Sequence, residues 1–303
     1  MKISDYVINT LAAEGVTHIF EVCGGALGHL LDSLYGRNDI QAVSMHHEMA
    51  AAIAAEGYAR ASENIGVAMA TSGPGATNLI TGIGSCYFDS IPSLFITGQV
   101  NTYEYKFGKP VRQIGFQETD IVSIVKPIVK DAVLVNDPQD TQEILERSIN
   151  IAKTGRPGPV LIDLPLDIQR STIEPSVHAV IKFPSSDTVI PDEKLILQIK
   201  SLIECGSRPL ILAGGGVRSS KATKELFDFA HSTNIPVVVS LMGLDSFPHD
   251  DQLYVGMIGT YGNRYANLAI ANADLIVALG TRFDTRQTGT KPETFARAAK
   301  IIH

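Results

Sequence analysis

The feature that most constrains this chain is its alternation, from the N-terminus onward, of short apolar, β-branched runs with segments of helical period. That alternation is the sequence sign of βαβ units, in which parallel strands are joined by crossover helices. The first block reads as helix 4–14, strand 17–22, helix 26–34, strand 40–44, helix 47–61, strand 65–71, helix 75–87 and strand 92–98. Strand 128–135, helix 138–152 and strand 158–164 complete it, giving a first domain at 1–167. Periodicity then fades in STIEPSVHAVIKFPSSDTVIP, where prolines and serines mark a linker at 168–190. A second alternation follows in 191–303: helix 192–204, strand 209–213, helix 219–231, strand 236–239 and strand 274–279. The fold class expected is α/β, with two doubly wound parallel-sheet domains, the second Rossmann-like. A length of 303 residues fits two such domains, each with its own core. The final AKIIH reads as a strand entered and cut, so the second domain is expected to be truncated at its C-terminal end, as in an artificial truncation or a proteolytic fragment.

Charge and composition narrow the function classes. The net charge is −7, from 25 basic and 32 acidic residues without long runs, which argues against a nucleic-acid footprint. No apolar run reaches the roughly 18 residues of a membrane helix, and the N-terminus lacks the apolar core of a signal peptide. Cys23, Cys86 and Cys205 are scattered and form no CxxC pair, so neither a disulfide framework nor a zinc site is suggested. A cytoplasmic protein acting on small molecules fits these limits.

Parallel sheets put binding sites at the carboxyl ends of their strands. Three segments fall there: VCGGA at 22–26, HHEMAAAIAAEGYAR at 46–60 and TSGPGATN at 71–78. Gly24, Gly25, Glu48 and the turn Ser72 to Gly75 therefore converge on one crevice if the sheet forms as expected. Each has a plainer reading. Glu48 can be a first-turn acid that complements the helix dipole, and the glycines can simply make tight strand-to-helix turns. His46 and His47 beside Glu48 invite a metal, but positions 50 and 51 are alanines, so the two-histidine spacing of a metal-binding helix is missing and no metal site is assigned. In the second domain ILAGGGVRSS, 211–220, is a near-match to a dinucleotide fingerprint, with Gly214, Gly215 and Gly216 present but Ser219 in place of the third spaced glycine. ALGTRFDTRQTG, 278–289, adds Arg282, Asp284 and Arg286 at a strand end, suited to phosphate contacts or to a solvated turn.

Taken together and in order, these segments resemble the thiamine diphosphate-dependent 2-oxo acid enzymes, nearest in motif to acetolactate synthase large subunits. FEVCGGALGHLLDSL, HHEMAAAIAAEGYAR, ATSGPGATNLITGIGSCYFDSIPSLFITGQV, FQETDIVSIVKPIVK, GRPGPVLIDLPLDIQ, LAGGGV and LGTRFDTRQTG carry the resemblance over nearly the whole chain. It implies a pyrimidine-binding domain followed by a central domain. It makes Glu48 the catalytic carboxyl facing the cofactor's pyrimidine nitrogen, where protonation favours the imino tautomer that removes the thiazolium C2 proton. A carboxyl in a dry, alanine-lined crevice suits that exchange, and the alanines would leave room for the ring. By the same resemblance Ser72, Gly73, Pro74, Gly75 and Asn78 line the pyrimidine side, Gly24 and Gly25 its edge, and Gln99 lies near the reacting atoms. Implied partners are 2-oxo acids and a second copy of the chain, as homodimer or homotetramer; implied cofactors are thiamine diphosphate with Mg2+, and FAD held by Gly214, Gly215, Gly216, Arg282, Asp284 and Arg286.

Four places depart from the pattern. Cys23 stands for a proline, Leu166 for a lysine toward the substrate entrance, Thr260 and Tyr261 for a methionine–histidine pair, and Thr285 for an aspartate. The last two fall around the flavin site and count against FAD; with Leu166 they leave a decarboxylase or lyase of the same family open. No GDG occurs in the 303 residues, so the family's magnesium signature is absent and the chain alone is expected to bind the cofactor poorly and not to turn over. Two readings from other classes remain: a nucleotide-binding oxidoreductase module built on the second domain, and a non-catalytic interaction module.

Overall fold

The computed structural model describes residues 1–175 and 192–303. The chain divides into two compact units, Met1–Thr188 and Val189–His303, each built around an all-parallel sheet. The first unit holds strands β1 (His18–Glu21), β2 (Gln41–Ser44), β3 (Gly66–Ala70), β4 (Ser93–Gln99), β5 (Asp131–Leu134) and β6 (Pro159–Pro165), in the order β2-β1-β3-β4-β6-β5. Its helices are α1 (Ile3–Ala13), α2 (Gly28–Leu34), α3 (Glu48–Ser62), α4 (Pro74–Asn78), α5 (Ile80–Asp89), α6 (Ile121–Val125), α7 (Thr141–Lys153) and α8 (Leu166–Arg170). β3, β4 and β6 are buried along their whole length, as strands covered on both faces must be. Side chains alternate across the sheet: Val67 and Met69 join a core with α1, α2, α7 and α8, while Ala68 and Ala70 join another with α3, α5 and α6.

The second unit holds β7 (Pro209–Ala213), β8 (Val237–Val239), β9 (Tyr254–Met257), β10 (Leu275–Leu279) and β11 (Lys300–Ile302), in the order β11-β10-β7-β8-β9. That is the five-strand arrangement of a Rossmann-like sheet. Helices α9 (Glu193–Cys205), α10 (Gly215–Ser219), α11 (Thr223–Thr233), α12 (Arg264–Asn272) and α13 (Thr285–Thr288) accompany it, with separate cores on the two faces. The terminal AKIIH is paired, with Leu275 opposite Lys300 and Val277 opposite Ile302.

The α/β class and the order of its principal elements are as the sequence implies. The details differ in five places. The helix expected at 75–87 is two helices that meet at Leu79. α6, β9 and α12 lie in stretches that showed no clear period. β9 carries Gly256 at φ 125 and pairs with β8 through a shifted register, so its YVGM lacks an alternating pattern. Residues 168–175, the start of the expected linker, pack on the first unit: Ile168 and Ile173 are buried, Lys2 bridges Thr172, and Ile173 N–H donates to Met1 O at 2.9 Å. The remainder of that linker lies outside the described residues.

Candidate functional site

In the first unit the strand order reverses between β1 and β3. After β1 the chain passes to α2 on one face; after β3 it passes to α5 on the other. The two departing loops leave a crevice at the carboxyl ends of the strands, the usual ligand position in an open α/β sheet. The VCGG and TSGPG loops meet there: Ala26 N–H donates to Thr71 Oγ1 at 3.3 Å, and a Cβ on Gly24 would stand 2.4 Å from Thr71 Cβ. Glycine at 24 is therefore a packing requirement. Gly25, in contrast, has open space where a side chain would be.

Glu48 enters the same crevice from β2. It is the first residue of α3, whose N-cap is His47; the His47 Nδ1 accepts the Met49 N–H at 3.1 Å. That cap accounts for one of the two histidines without a metal, and among the described residues no cluster of three His, Cys, Asp or Glu is placed to hold one. Asn78 Nδ2 donates to Glu48 Oε2 at 2.9 Å, which fixes the carboxylate at the end of α4. The other oxygen, Oε1, lies 3.4 Å from where a Gly75 Cβ would be, so glycine there keeps the approach to the carboxylate open. Gly73, at φ 65, makes the turn that starts α4, and Pro74 occupies its first position. Ser72 and Gly75 are buried and Pro74 is exposed. The structure thus brings Gly24, Gly25, Glu48, Ser72, Gly73, Pro74, Gly75 and Asn78 to one strand end.

Two expectations about this region need correction. Glu48 is half-buried, not enclosed in a dry cleft. The alanines of α3 do not line the crevice. Ala51, Ala52, Ala55 and Ala59 are buried inside the unit, where a Cβ on Gly82 of α5 would meet Ala52 Cβ at 2.3 Å and one on Gly66 of β3 would meet Ala55 O at 2.0 Å. Their small size lets a helix lie against both its neighbour and the sheet.

Gln99, expected near the reacting atoms, is turned inward at the end of β4 and is 1% exposed. Its Nε2 donates to Thr119 O and to Asp163 Oδ2, each at 2.8 Å, and its Oε1 accepts the Val100 N–H at 3.0 Å. The amide is engaged within the chain because a buried polar group needs partners. Asp163 also accepts from Thr97 Oγ1 at 2.7 Å. Burial pushes this carboxyl up to about 7, with the bonds from Thr97 and Gln99 acting against that rise. Sequence reasoning missed Asp163 and also Gln117, a residue at φ 63 whose Cβ lies 2.7 Å from the position of a Gly73 Cβ. Gln117 lies in the FQET segment, whose only sequence signal was its place in the resemblance.

At the strand-order reversal of the second unit the glycines act differently. Gly214 N–H donates to Leu279 O at 2.8 Å and Gly216 N–H to Gly280 O at 2.9 Å. A Cβ on Gly214 would stand 2.4 Å from Gly280 O, and Gly215 packs on Met242. The amides that a dinucleotide phosphate would use are thus taken by the neighbouring loop. Arg286 bonds the Tyr261 hydroxyl, with its guanidinium 5.4 Å from the Tyr261 ring centroid. Asp284 caps α13 by accepting Arg286 N–H at 2.8 Å and also accepts from Gln287 Nε2 at 2.8 Å, while Arg282 is exposed with its Nε 3.8 Å from Asp284. These contacts are all internal to the second unit, and Arg282 is left exposed at the strand end.

Among the described residues no helix is long and apolar enough to cross a membrane. Residues 1–124 match the family described as thiamine pyrophosphate enzyme, N-terminal TPP binding domain, and residues 196–303 match thiamine pyrophosphate enzyme, central domain. Over its whole length the chain is 42% identical to acetolactate synthase 2, chloroplastic, of Nicotiana tabacum, covering 45% of that protein. It is 41% identical to acetolactate synthase, chloroplastic, of Arabidopsis thaliana, covering 44%, and 43% identical to a probable acetolactate synthase large subunit of Methanocaldococcus jannaschii, covering 51%. The chain spans about half the length of these relatives. Two successive domain matches, whole-chain identity to these relatives and an all-parallel pair of sheets agree: the chain belongs to the thiamine pyrophosphate enzyme family and comprises its N-terminal and central domains.

Proposed function

We propose that the first unit binds the aminopyrimidine of thiamine diphosphate at the β1/β3 crevice. The enzyme it serves would be of acetolactate synthase type, decarboxylating one 2-oxo acid and joining the remainder to a second. The observation that carries this reading is the Glu48 carboxylate, held by Asn78 beside Gly75 at the point where two glycine loops meet. When bound, the cofactor supplies the electron sink for the carbanion left by decarboxylation. The chain's own residues prepare that chemistry. His47 and Asn78 fix the start of α3 and the Glu48 Oε2, which leaves Oε1 on the crevice side to exchange a proton with the pyrimidine nitrogen. Gly24, Gly25, Ser72, Gly73, Pro74 and Gly75 shape the walls, and Gly75 keeps bulk away from the carboxylate. Gln99 serves through the segment it holds, since its amide is already engaged.

Among the described residues no three His, Cys, Asp or Glu side chains come together where they could hold Mg2+. Leu166, at the head of α8, offers no charge to a substrate carboxylate and supports a second reading, a 2-oxo acid decarboxylase or lyase of the same family. We also assign a second copy of the chain to the outer side of α3 and α5, where Met49, Ile53, Tyr87 and Phe88 are exposed. A dimer in sedimentation supports that pairing and a monomer at micromolar concentration rejects it. The central test is Glu48→Gln in the full-length enzyme. Hydrogen–deuterium exchange at the cofactor's C2 should slow by about a hundredfold or more, the usual worth of a positioned acid or base. Exchange at the unaltered rate would overturn the assignment.

A further inference from the structure

DLPLD, residues 163–167, closes β6 and opens α8; its second carboxylate bonds the stretch after β4 directly, and its first reaches that stretch through Gln99. Asp163, 1% exposed, receives the Gln99 amide, which in turn donates to Thr119 O. Asp167 accepts from Thr102 twice, from N–H at 3.0 Å and from Oγ1 at 2.5 Å. The stretch between Thr102 and Thr119 is closed on itself: Glu118 accepts the N–H groups of Lys106 at 2.9 Å and Ile114 at 2.7 Å, and Gly115 N–H donates to Glu104 O at 2.9 Å. Near its far end Gln117 adopts φ 63 and presses on Gly73. We propose that Asp163 is a positioning residue, working with Asp167 to pin the two ends of segment 102–119 so that Gln117 is held on the Gly73 turn beside Glu48. The link to catalysis rests on the thiamine diphosphate reading above; the pinning itself does not.

The chemistry of the pair explains why a carboxylate stands at 163. A buried ionisable group costs stability that an apolar side chain would not, so its retention needs a reason. Here it dictates which way the Gln99 amide faces. In its ionised form Asp163 offers only acceptors, so Gln99 turns its NH2 inward, and that NH2 then also reaches Thr119 O. An asparagine at 163, accepting from Thr97, would set NH2 against NH2, flip Gln99 and release Thr119. Asp120, Glu118 and Tyr105 are the titratable groups that interact with Asp163 or with one another here, beside Glu104, Lys106 and Asp167 on the same stretch; Tyr105 is pushed up to about 12 by burial and by Asp120, Asp163 and Glu118.

The test is amide hydrogen exchange on the full-length enzyme without cofactor, where local opening can be told from global unfolding. Asp163→Asn should speed exchange in 102–119 by about tenfold or more while the amides of β3 keep their rates. Asp167→Ala, at a half-buried position that leaves no buried charge, should speed the 102–106 end alone and covers the case in which the first variant fails to fold. With cofactor added, the thiamine diphosphate dissociation constant of Asp163→Asn should rise about tenfold, and that of Asp167→Ala by less, because the Gln117 end stays held. Uniform acceleration across the unit, or unchanged exchange in 102–119 in the folded variants, would overturn the proposal. A wild-type enzyme that does not bind thiamine diphosphate would instead overturn the functional reading, leaving the exchange result to stand for the pinning.

Discussion

In the first unit Gly75 keeps a side chain out of the approach to Glu48, whereas in the second Gly214 and Gly216 let two backbone loops close on each other. Both sets of glycines occupy the same place in their sheets, the turn where strand order reverses. One reversal is left open around an acid; the other is closed by its own hydrogen bonds. A glycine-rich strand end is therefore a statement about close approach, and only its neighbours decide whether the thing approaching is a ligand or another loop.

This contrast can be broken most decisively at Glu48, whose change to glutamine should cost about a hundredfold or more in proton exchange while leaving the thermal midpoint of the second unit unmoved. Any comparable loss of exchange from Arg282→Ala or Arg286→Ala would give the second reversal a catalytic share that its geometry does not support. The next effect is a pH dependence confined to the first unit. The folded Asp163 carboxyl titrates near 7 against about 3.9 in an unfolded chain. Its contribution is complete below about pH 4 and lost as pH rises through about 7, by at most about 4 kcal/mol, and Asp163→Asn should flatten that slope. In the second unit Asp251 and Asp274 are held below the usual carboxylate range, chiefly by the Leu253 and Arg208 N–H groups respectively, so their contributions fade only as pH falls below about 4. Residue-resolved unfolding at several pH values separates the two trends. Gly214→Ala should destabilise the second unit by about 1–3 kcal/mol, since its Cβ meets a backbone carbonyl that cannot yield. A neutral result in thermal unfolding would mean the loops are looser than their hydrogen bonds indicate. The smallest effect is His47→Ala, which removes the cap of α3 and should cost about 1 kcal/mol in the same measurement.

The parts of this architecture that could be read in advance are those whose residues repeat a period. β3, β4 and β6 are runs of apolar residues bounded by turns, and the helices α1 and α7 keep their apolar positions on one side. β9 was hidden because Gly256 and a register shift spoil its alternation, and α6 because five residues are too few to show one. At the crevice, Glu48 and the glycine loops could be placed at strand ends because loop chemistry there is local in sequence, whereas Asn78 entered only through the resemblance. The reason for the alanines was not: Ala52 is small because of Gly82, thirty positions away, and Ala55 because of Gly66. The internal bonds of Gln99 were hidden for a similar reason, its partners Thr119 and Asp163 lying far along the chain.

The seating of α3 has a practical consequence. With Ala52 against Gly82 and Ala55 against Gly66, the helix cannot accept larger side chains on that face, so the acid at its tip is carried on what amounts to a close-fitted mount. Efforts to retune such a protein for bulkier reactants gain nothing by enlarging or trimming that helix. Variation has to be sought in the connecting stretches around the mouth, which can change shape without shifting the mount.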